Sequence, residues 1–164
     1  MKYATAATLA FALASLAASG AQAQSRKLFF EGDLVRHRLD GQQGPWCVLS
    51  NLYKRKEAVA WRIRVLDGAS GAQADDKAIK AVTVVLGNGA RLPAKFGPHG
   101  NPSTDTFWSL FWTIPVDFPT GSLGYKVVAT LMDGTEQTWE PFNRDSTKLT
   151  VVAGEPALEP PKQP

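Results

Sequence analysis

The sequence predicts an all-β fold, an antiparallel sandwich of two packed sheets. Three observations carry that expectation. Several stretches alternate apolar and polar residues with the period of two that belongs to a half-buried strand. Two Asx-Gly pairs, Asn88-Gly89 and Asp133-Gly134, sit between such stretches as hairpin signals. Beyond the first 23 residues, no segment shows the repeat of an amphipathic helix.

The elements follow in chain order. Met1 to Ala23 reads as a cleaved signal peptide. Lys2 is a short basic start, Thr5 to Ala18 an uncharged Ala/Leu-rich run, and Ala21-Gln22-Ala23 a small-x-small cleavage site. The run is shorter than the roughly 20 residues that span a bilayer. The expected destination is the periplasm or the medium, with no membrane span after cleavage. Residues 24–33 read as a polar lead-in holding one apolar knot, Leu28-Phe29-Phe30, and residues 34–153 as the sandwich domain. Leu34 to Leu39 fits a first strand or an extended arm, and Asp40 to Pro45 is turn-rich.

The clearest alternation is Val59, Trp61, Ile63 and Val65 against Ala60, Arg62 and Arg64. A strand from about Ile79 to Leu86 should turn at Asn88-Gly89, with both central residues at positive φ in a type I′ turn, and return as Arg91 to Phe96. Gly97 to Asp105 reads as a loop. Trp108, Leu110, Trp112 and Ile114 alternate next, and Pro115 and Pro119 end that strand. Leu123, Tyr125, Val127, Ala129 and Leu131 follow, then the Asp133-Gly134 turn and a return strand from Glu136 to Glu140. Leu149 to Val152 is a last short strand. Residues 154–164, with four prolines, are expected to be a disordered tail. About seven short strands suit a sandwich, with a closed small barrel as the alternative.

Composition narrows the function classes. With 44% hydrophobic and 20% charged residues, the 164-residue chain has the make-up of an ordinary globular domain. One Cys excludes an intrachain disulfide framework and a Cys-rich zinc site, and two His exclude a three-His metal centre. Removing the signal lowers the formal charge from +3 to +2, so no concentrated basic field argues for nucleic acid.

Residues Phe118 to Gly134 place a Pro/Gly turn before Leu123, Tyr125, Val127 and Ala129, and then Asp133-Gly134. This stretch resembles the late strands of bacterial immunoglobulin-like and fibronectin type III-like domains, which run Leu-x-Tyr-x-Val-x-Ala into an Asp-Gly hairpin. The resemblance implies a single immunoglobulin-like sandwich. It also implies a tyrosine corner at Tyr125, its hydroxyl bonded back to nearby backbone, and Trp61 as the central core tryptophan. The paired cysteines of antibody-type domains are absent. Such similarity speaks to fold and carries little about function.

Candidate chemistry is sparse. Cys47 beside His37 or His99 would make a thiolate pair, but Gly44-Pro45-Trp46-Cys47-Val48-Leu49 is an apolar setting that suits a packed, inert thiol. Neither a GxSxG elbow nor an HExxH pair occurs. His37, Cys47, His99 and Met132 together make the inventory of a copper site of the blue type, although that site draws Cys, His and Met from one short loop and here they are scattered. Asp67, Asp75, Asp76 and Asp105 show no calcium-loop alternation. Trp46, Phe111, Trp139 and Phe142 fall outside the core stripes and are candidates for ring stacking on a partner. Lys54 and Arg55, in the basic run that ends at Lys56, would steer an acidic one. The expectation is an exported, non-catalytic binding or accessory module without a cofactor that recognises a periplasmic protein or an envelope ligand. The alternative is a copper-binding redox protein.

Overall fold

A computed structural model describes residues 27–37 and 47–154. The signal segment, the turn-rich stretch with Trp46, and residues 155–164 of the tail lie outside the described residues. All-β architecture holds throughout the described part, with one 3-10 turn, Asp145–Thr147, and no α-helix.

In chain order the strands are β1 (Leu28–His37), β2 (Val48–Leu49), β3 (Leu52–Lys54), β4 (Ala58–Asp67), β5 (Ile79–Leu86) and β6 (Arg91–His99). They continue as β7 (Asp105–Thr113), β8 (Gly121–Leu123), β9 (Tyr125–Leu131), β10 (Glu136–Trp139) and β11 (Leu149–Val152). The large sheet has the order β10-β9-β5-β6-β7-β4-β1-β2, and a small one the order β3-β11-β8. Pairing is antiparallel except between β3 and β11.

Strand β6 is the crease of the large sheet. Its first half, Arg91 to Ala94, pairs with β5, and its second half, Lys95 to His99, pairs with β7. Each half therefore has one open side, which accommodates Pro93 and Pro98 without a lost ladder bond. The predicted loop from Gly97 is shorter than expected for the same reason: strand continues to His99 and resumes at Asp105. The first strand also opens earlier than the alternation suggested, at Leu28, because the whole run from Leu28 pairs residue for residue with β4.

The folded-over sheet encloses the rings. Trp61 on β4 is 1% exposed and meets the Tyr125 ring of β9 edge-on at 5.8 Å and the Trp112 ring at 6.3 Å. Trp108 is buried against Phe96 and donates its indole N–H to the Ala74 carbonyl at 3.2 Å. Trp112 is half-buried at the core's end, edge-on to Phe118. The small sheet closes another side with Tyr53, Leu149 and Val151. The two-layer all-β arrangement agrees with a sandwich at the level of architecture.

Both Asx-Gly pairs make hairpins, but neither forms a type I′ turn. Gly89 and Gly134 are left-handed (φ 88° and 87°), whereas Asn88 and Asp133 stay at negative φ. The Leu86 carbonyl accepts from Gly89 N–H, and the Leu131 carbonyl from Gly134 N–H. These are three-residue loops that end in a left-handed glycine. The Asx oxygen selects this form by accepting the N–H two residues on, at Ala90 (3.1 Å) and Thr135 (2.8 Å).

Gly68 ties the two longest strands together. Its N–H donates to the Lys27 carbonyl at 2.7 Å, and a Cβ built there would lie 2.6 Å from that same oxygen. Backbone has to move to admit it. Gly68→Ala should cost about 1–3 kcal/mol in urea unfolding; an unchanged midpoint would show that the β1–β4 end relaxes freely.

Candidate functional site

A cleft of about 540 Å³ opens where the two ends of the large sheet approach each other. Gly32, Asp33 and Leu34 of β1 form one wall. Trp139, Glu140, Pro141 and Phe142, at and beyond the end of β10, form the opposite one. Leu49, Ser50, Asn51 and Tyr125 complete much of the lining.

Local chemistry sets each part. Gly32 faces the core side of β1, and Trp139 occupies the space a side chain would take: a Cβ there would sit 3.1 Å from its ring. The same indole stacks on Phe30 at 6.5 Å, nearly parallel. Asn51 donates from Nδ2 to the Asp145 carbonyl at 2.9 Å and so fixes the 3-10 turn beside the cleft. Phe142 projects outward and is 82% exposed, an unusual cost for a ring.

The ionisable groups in the wall are Asp33, Glu140 and Tyr125. Asp33 is engaged on its other side by Arg62, its direct cross-strand partner, through two bonds of 2.8 and 2.6 Å. That carboxylate holds the Arg62 pKa above its ordinary value. Burial, with a smaller push from the Asp33 charge, raises the Tyr125 phenol to about 12, so it stays neutral at any physiological pH.

No known protein family, curated protein or solved structure matches this chain. The reading of the cleft therefore rests on its own geometry.

The residues singled out from the sequence are dispersed. Trp139 and Phe142 come together in the cleft. Phe111 is 58% exposed on the outer face of β7, against the His37 ring at 4.2 Å. Trp46 lies outside the described residues. Lys54 is half-buried in β3, and Arg55 is spent on the fold, its Nε donating to the Phe118 carbonyl at 2.7 Å.

The four potential copper ligands are not brought to one place. His37 lies in register with Ala58 and hence with Thr113, at one end of β7, while His99 pairs with Asp105 at the other. Their side chains lean toward the middle of β7 on separate partners, His37 on the Phe111 ring and His99 on Ser109. His99 is hydrogen-bonded through both ring nitrogens, to the Gly97 carbonyl and to Ser109 Oγ, and stacks on Phe107. Met132 sits on the β9–β10 hairpin, exposed. Cys47 is exposed, contrary to the packed thiol expected from its apolar neighbours. It stands at positive φ (52°) immediately before β2, a two-residue strand whose own residues Val48 and Leu49 are exposed too. Among the described residues, no group of three or more His, Cys, Asp or Glu is placed to hold a metal.

The loop acids serve turns and ion pairs. Asp67 accepts from Ala69 and Ser70 N–H, Asp75 from Lys77 and Ala78 N–H, and Asp105 pairs with Arg64. Among the described residues, the Tyr125 hydroxyl does not make the implied tyrosine-corner bond. Tyr53 makes a bond of that kind instead, from its hydroxyl to the Ser50 carbonyl at 2.8 Å. Tyr125 is directed across the core onto Trp61, whereas Tyr53 lies three residues from a turn carbonyl.

Gly32, Leu49, Asn51 and Glu140 were invisible as site residues in the sequence. The one usable signal was Gly32, a glycine inside a strand, which often marks close approach by another group.

Proposed function

We propose that this chain is an exported, non-catalytic, immunoglobulin-like binding module that takes a protein partner of the cell envelope in the cleft between β1 and β10. The observation that carries this is the pairing of a largely exposed ring, Phe142, with the half-buried Trp139 in the wall of a cleft of about 540 Å³. Exposed aromatic surface next to a concave pocket is the usual form of a binding hot spot. The Ala/Leu-rich start with its Ala21-Gln22-Ala23 site supports export. Among the described residues no helix is long and apolar enough to cross a membrane.

Phe142→Ala tests this without disturbing the core, because the ring is 82% exposed. Crosslinking in the native cell envelope should capture a defined partner with the wild-type chain. The variant should capture it at least about 10-fold less, at unchanged thermal stability. Equal capture by both chains would remove the cleft from consideration. Mass spectrometry of the processed chain should give an N-terminus at Gln24.

A further inference from the structure

Among the described residues, strand β1 is fully paired on one side only. From Leu28 to His37 every residue has a β4 partner, while β2 covers only Val35 and Arg36 on the other side. Along an antiparallel strand, the backbone groups of successive residues point to opposite sides. Leu28 N–H reaches Gln137 Oε1 at 2.9 Å, and the Leu34 carbonyl accepts from Ser50 N–H at 3.2 Å, so the even-numbered residues direct their groups away from β4. Phe30 and Gly32 share that parity. Among the described residues, nothing pairs with the N–H or C=O of either.

Across the gap, β10 is paired, among the described residues, only with β9. The gap is pinched at Leu28–Gln137 and widens into the cleft at Gly32–Leu34 and Trp139–Phe142. An open strand edge beside an apolar pocket is the arrangement used for β-strand addition, in which backbone bonds supply affinity and alternate side chains supply specificity. Among the described residues, the charged groups in the lining are Asp33 and Glu140, with no Lys or Arg. Arg62 already shares the Asp33 charge, which leaves Glu140 as the fuller negative group.

We propose that the cleft binds an extended peptide as an added strand on the Phe30–Gly32 edge of β1, with an apolar side chain against Trp139, Phe142 and Leu49 and an adjacent basic one toward Asp33 and Glu140. The proposal rests on the reading of this cleft as the partner site and names the partner's chemistry. Apolar and basic residues are adjacent because neighbours on a strand face opposite sides, as Leu34 and Asp33 do. A carbohydrate would leave the two-residue spacing of open N–H and C=O groups unused. The chain's own residues 155–164 hold Glu155 and Glu159 against the single Lys162, which has no large apolar neighbour, and four prolines that lack the N–H an added strand must donate.

Selection of the processed protein against a random peptide phage library tests this. Enriched sequences should carry Lys or Arg next to a large apolar residue. In a synthetic copy of one, N-methylation at the alternate positions facing β1 should weaken binding by about 10-fold or more, while methylation at the intervening positions should leave it near the parent value. Amide hydrogen exchange at Phe30 and Gly32 should slow in the complex. No enrichment overturns the proposal, as does indifference to methylation at every position, or displacement by a synthetic peptide of residues 155–164. Failure here is separable from failure of the cleft. If Phe142→Ala still abolishes capture of the native partner, the cleft stands and strand addition falls. If that substitution changes nothing, both fall.

Discussion

Trp61→Ala is expected to remove about 3–5 kcal/mol of folding stability, the range for deleting a large buried ring. Domains of this size hold only about 5–15 kcal/mol in total, so the variant should be partly unfolded or unfold at low denaturant. The loss is large because the indole joins two layers. It lies on β4, touches Tyr125 of β9, and borders Trp112 of β7. Neighbours anchored in three paired strands cannot collapse into the space.

Trp61→Phe provides the contrast. Among the described residues the buried Trp61 indole N–H has no hydrogen-bond partner, unlike that of Trp108, which donates to Ala74. An orphaned donor costs about 1–3 kcal/mol. Phenylalanine loses ring volume but removes that donor, so it should cost far less than alanine in equilibrium urea unfolding. Equal losses for the two variants would mean that a phenyl ring neither fills the site nor gains from losing the donor.

Alkaline pH should destabilise the fold steeply, beginning near pH 10. Tyr53 and Tyr125 are 0% and 7% exposed, and burial raises both phenol pKa values above the ordinary 10.0, Tyr125 to about 12. At Tyr53 the Arg36 charge opposes the rise without cancelling it. Below pH 10 both groups are protonated whether the chain is folded or not, and their contribution is constant. Above it, the unfolded chain releases protons that the folded chain retains. Stability then falls by about 1.4 kcal/mol per pH unit for each phenol, and the Tyr125 share of the loss is complete once pH passes its folded pKa. Urea midpoints measured from neutral pH to about pH 12 should show a flat region and then this decline. Tyr125→Phe should roughly halve its slope. Tyr53→Phe should also flatten it, and should lower the plateau by about 1 kcal/mol because the bond to the Ser50 carbonyl is lost.

The alternating stripes were legible, and the reason is geometric. A pleated strand sends successive side chains to opposite faces, so Val59, Trp61, Ile63 and Val65 could be assigned to the dry face before any neighbour was known. The same rule placed Trp108 and Leu110, and Tyr125 to Leu131. The break at Gly124 was not legible. It divides β8 from β9 and sends the two to different sheets, although Leu123 and Tyr125 continue one alternation. Trp139 and Phe142 were visible as rings outside the stripes, yet nothing in their spacing tied them to Gly32, more than 100 positions earlier in the chain.

Local covalent geometry thus determined the element type, the inward faces and the positions of the two Asx-Gly hairpins. Strand neighbours, the crease at β6, the small sheet and the cleft were decided by tertiary structure. Burial rewards any apolar face that excludes water and is indifferent to which strand supplies it. Only the closing of β10 toward β1, set by Gln137 on Leu28 and Trp139 on Gly32, selects one arrangement and leaves a strand edge open.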